Sequence, residues 1–255
     1  VRPAAMRRLA RFSAALLLSL LLAACASQQK LPPQQIAAAI APVSQPTTIA
    51  LLGGTGMVGG HILQQALARG YPLRVLARSP EKLAYLGERI TVVAGDARDP
   101  DVIADLLDSA EVVISAIGPG KQAPADLTTA VSRNIVTAMR AQGINRYLVV
   151  SGAGVVTPDD RRDFIGWSIR QLARLRYPTL LRDRQREYAL LAATDINWTI
   201  ARCPLIESGA ATAPAGAALR TPAGFRLQAG ELAEFLLDQL ADPTWFQRAP
   251  FVYSD

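Results

Sequence analysis

Ile49-Ala50-Leu51-Leu52-Gly53-Gly54-Thr55-Gly56-Met57-Val58-Gly59-Gly60 is an apolar run that ends in glycines spaced G-x-x-G-x-x-G, at Gly53, Gly56 and Gly59, and opens into a helical pattern. A strand that turns tightly into a helix requires such glycines. The first permits a turn with φ > 0, the second lets backbone approach a pyrophosphate, and the third lets helix and strand pack closely. Phosphates placed there would meet the unpaired N–H groups and the positive end of the helix dipole. The same spacing also serves a tight strand–helix turn with no ligand, so the rest of the chain has to arbitrate.

Outward from that turn the pattern alternates strand and helix. Thr48 to Leu52 is the first strand and Met57 to about Arg69 the first helix, stopped by Gly70. Leu73 to Ala77 is a strand, Pro80 to Leu86 a short helix, and Ile90 to Ala94 the third strand. Asp99-Pro100-Asp101 starts a helix, with aspartate as cap and proline in the first turn. Val112 to Ala116, a long helix from Leu127 to Gln142, and Tyr147 to Ser151 complete the series. Short, continuously apolar strands suit a parallel sheet covered on both faces. The fold class is therefore α/β: a single Rossmann-like, doubly wound parallel sheet with helices on both faces, over residues 48–255. Ligands of such sheets collect at the C-terminal strand ends.

The candidate cofactor residues lie at those ends. Gly53, Thr55, Gly56, Met57, Val58 and Gly59 form the phosphate turn. Arg78 and Ser79 follow the second strand, where an acid would select NAD. An arginine there instead pairs with a 2′-phosphate, which favours NADP(H) while leaving NAD possible. Asp96 and Ala97 follow the third strand, placed either to cover the adenine or simply to make a turn. Ala116, Ile117 and Gly118 follow the fourth and are small enough to leave room for a ribose and nicotinamide. Ser151-Gly152-Ala153-Gly154 ends the fifth, facing the same crevice.

Together, Gly53 to Gly59, Ala77-Arg78-Ser79, Gly95-Asp96, Ser151 and the later Asn197-Trp198-Thr199-Ile200-Ala201-Arg202-Cys203-Pro204 resemble the atypical short-chain dehydrogenase/reductases. The nearest flavour is the NAD(P)H-binding group that includes biliverdin reductase B, a flavin reductase, and NmrA-like sensor proteins. The resemblance extends through a helix at Gly230 to Leu240 and a closing strand near Phe251 to Tyr253. It implies the fold and a nicotinamide cofactor. It does not fix the reaction, since reductases, epimerase-like enzymes and sensors share it.

One departure matters. Short-chain dehydrogenases commonly use Tyr-x-x-x-Lys, in which the lysine lowers the tyrosine pKa so that it can shuttle a proton. None of the six tyrosines has a lysine four residues on, and lysine occurs only at Lys30, Lys82 and Lys121. The candidate catalytic residues are then Ser151, able to bond the nicotinamide or a substrate carbonyl, and Arg184, able to hold an anion or developing negative charge. An arginine stays protonated and is no general acid. Arg182, Asp183, Arg186 and Glu187, at helical spacing around Arg184, also read as a solvated charged face. Asp159 to Asp163 reads as a solvated helix start, and Trp167, Ile169, Leu172 and Leu175 as an apolar face over the pocket or a surface for a partner protein. His61 reads as a packing or solvent-facing residue, and Cys203 as a buried, inert thiol.

The N-terminal region carries a different signal. Arg7, Arg8 and Arg11 precede an apolar stretch from Phe12 to Ala24, and Leu22-Ala23-Ala24-Cys25 follows the pattern of a bacterial lipobox. At 13 residues the stretch is short of the ~20 that span a bilayer. Residues 1–24 read as a lipoprotein signal peptide, Cys25 as the lipidated residue, and 25–47 as a Pro/Gln-rich tether. The expected location is the cell envelope, anchored in a membrane and facing the periplasm, the outer membrane more than the inner. Taking the four leader arginines from 27 basic residues leaves 23 against 21 acids, a net of +2 that gives no reason to expect nucleic acid. One histidine and two cysteines leave no set for the usual Cys/His zinc site, so no metal is expected.

Two readings of function follow: an NADP(H)-dependent oxidoreductase passing hydride to a small planar acceptor such as a flavin or quinone, or a non-catalytic nucleotide-binding sensor or scaffold. The anchor is tested separately. Cys25→Ser is expected to abolish labelling by radiolabelled palmitate and to move the chain out of the membrane fraction, because two or three acyl chains, at ~0.8 kcal/mol per methylene, hold where one does not. Undiminished labelling would refute the lipobox.

Overall fold

The structure, a computed structural model, describes residues 47–118, 120 and 123–254. The leader, Cys25 and the tether up to residue 46 lie outside the described residues. Strand β1 (Ile49–Leu52) runs into α1 (Met57–Ala68), and β2 (Leu73–Ala77) into 3₁₀ turns over Pro80–Arg89. The alternation continues through β3 (Thr91–Ala94), α2 (Pro100–Leu107), β4 (Val112–Ser115), α3 (Leu127–Gln142) and β5 (Arg146–Gly152). Two consecutive helices follow, α4 (Phe164–Arg176) and α5 (Pro178–Ala192), then β6 (Asn197–Cys203). Three short strands, β7 (Leu205–Glu207), β8 (Gly216–Ala218) and β9 (Arg226–Gln228), lead to α6 (Ala229–Asp238) and β10 (Phe251–Tyr253).

The eight-stranded sheet has the order β3-β2-β1-β4-β5-β6-β10-β8. Every pair in it is parallel except β10 with β8. The expected doubly wound parallel sheet is what forms. The chain winds outward from β1 through β2 to β3, then returns to β4 on the other side of β1. That reversal opens a crevice at the C-terminal ends of β1 and β4. The outlying β7 and β9 pair parallel in a separate ribbon.

Alternation along β1 assigns the two faces. Ile49 and Leu51 pack with Val58, Ile62, Leu63 and Ala66 of α1 and with Leu232, Leu236 and Leu237 of α6. Ala50 and Leu52 point the other way, into Ile103 and Leu106 of α2, Ile135 and Met139 of α3, and Leu191 of α5. Each fully buried Ile or Leu contributes about 1.5–3 kcal/mol by leaving water, which is why a four-residue strand with no polar alternation is committed to the sheet centre. Helix ends follow the sequence signals. Asp99 accepts a hydrogen bond from the Asp101 N–H at 2.9 Å, and Gly143 ends α3 in the left-handed region at φ 73°.

The structure departs from the sequence reading in places. The segment after β2 winds as 3₁₀ turns and runs on to Arg89, with a left-handed break at Gly87 (φ 52°). The charged faces expected around Arg184 and at Asp159–Asp163 are only partly solvated. Arg182 and Arg186 are exposed, whereas Asp183, Arg184 and Glu187 are buried. The Asp160 carboxylate bridges Arg162 and the fully buried Arg202 at 3.0 and 2.6 Å. Spacing showed which residues share a helix face but not that a neighbouring helix covers that face.

Asp183 shows what the covered face does. Its carboxylate accepts from the backbone N–H and hydroxyl of Thr128 (2.8 and 2.7 Å) and of Thr129 (3.1 and 2.6 Å). It thereby satisfies the N-terminus of α3 from a different helix, where the dipole favours an anion. Asp183→Ala strands four buried donors and is expected to cost about 2–4 kcal/mol, lowering the melting temperature by roughly 5–15 °C for a domain of this size. Calorimetry of the variant checks this, and an unchanged melting temperature would show the cap to be replaceable by water.

Candidate functional site

The three glycines of the first turn do different work. Gly53 sits at φ +83°, and a β-carbon there would come within 2.7 Å of the Ala116 carbonyl oxygen at the end of β4. Gly59 is the second turn-former: a methyl group on it would overlap the Gly53 carbonyl, so α1 can seat on the turn only without a side chain. Gly56 differs from both. Its backbone (φ −86°, ψ 173°) is open to any residue, and a β-carbon would meet only the Gly53 oxygen, at 3.2 Å. Gly56 is exposed, as are Thr55 and Met57. No side chain caps α1. An exposed, uncapped helix N-terminus beside a glycine whose missing side chain leaves open space fits a pyrophosphate.

The crevice beyond this turn is a cleft of about 250 Å³, walled by β4, β5, the loop after β6 and α5. Val58, Ala116, Ile117 and Gly118 line it on the cofactor side, and Ser151, Gly152 and Gly154 along its floor. Leu180, Leu181, Pro204 and Ile206 close the far side. Arg184 and Cys203 are the titratable groups among the lining residues. Cys203 is buried, and desolvation pushes its thiol up to about 12, so it stays protonated and inert at neutral pH.

Ser151 lies on this cleft, 5% exposed, and its Oγ makes no hydrogen bond among the described residues. Buried hydroxyls are normally paired. One that is unpaired beside an apolar cleft is positioned for a ligand's polar atom. Arg184 reaches the same cleft but is held in place. It donates to Glu187 Oε2 at 2.7 Å and to the Ile117 carbonyl at 2.6 Å. Glu187 accepts from Ser132 Oγ at 2.8 Å, and Ser132 bonds the Tyr147 hydroxyl at 3.0 Å. Tyr147 is fully buried, and desolvation holds its hydroxyl well above the usual tyrosine value. It belongs to the core and gives the cleft no proton.

The other candidate residues separate into two places. Arg78 and Ser79 stand at the end of β2, Arg78 exposed and Ser79 half-buried. Asp96 is gripped by its neighbour: Arg98 donates to both carboxylate oxygens, at 3.1 and 2.8 Å, and its backbone N–H donates at 2.9 Å. Those bonds hold the Asp96 carboxyl down at about 2. Asp96 thus spends its carboxylate inside its own turn, and Ala97 packs into the core under α2 and α3. What the third strand brings to the site is a second exposed arginine, Arg98. The sequence reading missed Arg98, Glu187 and Arg202. Arg98 was signalled by its i, i+2 spacing from Asp96 at a strand end. Arg202 lay in plain view inside the run Asn197–Pro204, but nothing local announces a fully buried arginine that bonds three carbonyls and Asp160.

Comparison with known proteins agrees with this geometry. Residues 53–243 match the model of the NAD(P)H-binding family. The photosystem II assembly factor Ycf39 of Synechocystis is 26% identical over 60% of this chain and 43% of its own. The chain thus spans less than half the length of the curated relatives it matches. Among solved structures, a protein of Burkholderia pseudomallei described as exported is 27% identical, with a TM-score of 0.66 over 82% of this chain and all of the other. The anaerobilin reductase ChuY of Escherichia coli O157:H7 is 23% identical, with a TM-score of 0.68 over 81% and 97%. A short-chain dehydrogenase/reductase of Veillonella parvula in complex with NADP is 17% identical, with a TM-score of 0.67 over 82% and 94%. The last two share the fold. With its glycine turn, uncapped α1 and cleft at the strand reversal all inside the matched span, the chain belongs to the NAD(P)H-binding family.

Proposed function

We propose that the protein is an NADP(H)-dependent reductase that passes hydride to a small planar acceptor such as a flavin or quinone. The observation that carries the reading is Ser151 Oγ, buried, unpartnered and set on an apolar cleft at the reversal of the sheet. When bound, NADPH would supply the hydride at its nicotinamide end. Gly53, Thr55, Gly56, Met57, Val58 and Gly59 would hold the pyrophosphate on the N-terminus of α1. Arg78 would meet the 2′-phosphate, since an arginine after the second strand suits that charge where an NAD site would place an acid. Ser79, Asp96 and Ala97 would shape the adenosine end mainly through backbone. Ala116, Ile117 and Gly118 would border the ribose and nicotinamide.

The acceptor class is inferred from what the described residues lining the cleft offer. Its lining offers an arginine, which is always protonated, and a thiol pushed up to about 12. Neither delivers a proton at neutral pH. A ketone would need one as it is reduced, whereas a reduced flavin or quinone takes protons from water. Ser151 would hydrogen-bond the nicotinamide or an acceptor carbonyl. Arg184, fixed by Glu187 and the Ile117 carbonyl, would balance negative charge developing there. The leader sequence and the likeness to an exported Burkholderia protein support an envelope location on a Cys25 lipid anchor. That location favours one second reading, a nucleotide-binding sensor or scaffold, because reduced nicotinamide is scarce outside the inner membrane.

Titration of the purified protein with NADPH and NADH, followed by cofactor oxidation with flavins and quinones, separates the two. Binding with turnover is expected, and tight binding with no turnover on any acceptor would leave only the sensor. Arg78→Asp should weaken NADPH roughly tenfold or more, from loss of a charge-assisted contact of about 1.5–3 kcal/mol, and spare NADH. Equal loss for both cofactors would make Arg78 structural. Ser151→Ala should lower turnover more than cofactor affinity.

The glycines give a sharper contrast. Gly56→Val should abolish binding at a much smaller cost in melting temperature than a substitution at Gly59, since its backbone angles suit valine and its β-carbon meets the Gly53 oxygen at 3.2 Å, where one on Gly59 would overlap it. Gly59→Ala should destabilise the fold by about 1–3 kcal/mol or more, as overpacking against rigid backbone does. If both lose stability equally, the division of roles within the turn is wrong.

A further inference from the structure

Helix α4 leaves its apolar side chains outside. Phe164 (79% exposed), Leu172 (68%) and Leu175 (82%) stand furthest out, with Ile165, Trp167 and Ile169 about half exposed. The one buried residue of the helix is Gly166. At 100° per residue Phe164, Trp167, Leu172 and Leu175 fall within an arc of about 140°, and Ile165 and Ile169 widen it to about 200°. The helix is nonetheless tied to the domain: Asp163 caps it by accepting from the Gly166 N–H at 2.7 Å, and Arg170 Nε donates to the Gly154 carbonyl at the cleft edge, at 3.1 Å. It also packs against α5. An apolar face this large on a secured helix is unusual for a surface in contact with water alone.

The charges on the helix itself are of one sign. Arg170, Arg174 and Arg176 lie on α4, which has no carboxylate, and none of the three forms an ion pair among the described residues. Asp163 is used as the cap, and Asp160 is held by Arg162 and Arg202. A tryptophan and leucines on one side with arginines flanking them are the composition of helices that lie in a bilayer interface. Among the described residues no helix is long and apolar enough to cross a membrane. The apolar stretch Phe12–Ala24 and Cys25 stand ahead of the domain in the same chain.

We propose that α4 lies in the headgroup region of an anionic bilayer, with Trp167, Leu172 and Leu175 in the acyl boundary and Arg174 and Arg176 among anionic headgroups. Through the Arg170–Gly154 contact this sets one wall of the cleft beside the lipid. The proposal draws on the envelope reading above for the presence of a membrane, and on nothing in the cofactor reading. Tryptophan fluorescence of the full chain, mixed with vesicles of phosphatidylethanolamine and phosphatidylglycerol carrying brominated acyl chains, tests it. The Trp167 signal is the difference between the wild type and Trp167→Phe; Trp198 is buried in the core. Quenching of Trp167 is expected, weaker on phosphatidylcholine vesicles and lost in the chain carrying Leu172→Glu and Leu175→Glu. Both of those positions are exposed, so that chain should still melt like the wild type. Labelling by radiolabelled palmitate reports the anchor independently. A chain that is labelled while Trp167 stays unquenched overturns the proposal and leaves the anchor standing. An unlabelled chain whose Trp167 is quenched on added vesicles supports the proposal without the anchor. Disulfide-linked dimers of Leu172→Cys, formed without lipid and accompanied by an unquenched Trp167, would assign the face to a second copy and overturn it.

Discussion

The close approach of Gly59 to the Gly53 carbonyl is the contact on which the arrangement of the site depends. With any side chain at residue 59, α1 would be pushed off the end of β1, and the N–H groups of its first turn would no longer stand over the strand reversal. With any side chain at residue 53, the turn would run into the Ala116 carbonyl at the end of β4. These two glycines therefore fix three objects at once: the helix N-terminus, the end of the central strand and the end of its neighbour. The third, Gly56, is free of that duty. A motif read as one unit in sequence thus divides into two positions that build the turn and one that keeps space open above it.

The opposite wall is fixed by charge rather than by close packing. Asp183 reaches the N-terminus of α3, Glu187 reaches Ser132 one turn further along it, and Arg184 between them reaches the Ile117 carbonyl after β4. Three consecutive polar contacts along α5 therefore dock it against both the helix and the loop that border the cleft. Removing one partner of such a buried set leaves the others uncompensated, which is costlier than the net contribution of the set itself. Arg184 is thereby held in place at the cleft by Glu187 and the Ile117 carbonyl.

The fold was legible because its signals are local. Continuous apolar strands, the Asp99-Pro100 cap and the stops at Gly70 and Gly143 each act within a few residues, and the structure has each element where those signals put it. The three-residue strands β7, β8 and β9 carry no such pattern; pairing with distant partners creates them. The site was legible where backbone makes it, in the glycine turn and the small residues after β4. It was not legible where one charge settles the fate of another. Asp183, Arg184 and Glu187 look like a solvated face until α3 covers them. Asp96 looks free until Arg98 closes on it. Whether a charged residue faces water or a partner is decided by tertiary contacts, and helical spacing alone carries no such information.

The chemistry left open by these walls is narrow. Tyr147, the tyrosine nearest the cleft along β5, is turned into the core, with its hydroxyl on Ser132 and its pKa raised by burial. In a parallel sheet successive residues face opposite sides, so Ser151, an even number of residues from Tyr147, shares its parity but stands beyond the helix that covers Tyr147, at the open strand end. The same face of one strand thus offers a buried phenol that cannot donate outward and, four residues on, a hydroxyl with nothing to bond. Among the described residues, the cleft thus combines an unpartnered hydroxyl with a fixed arginine and no tyrosine. The flavin or quinone acceptor proposed above rests on that lining rather than on the fold, which proteins of several activities share.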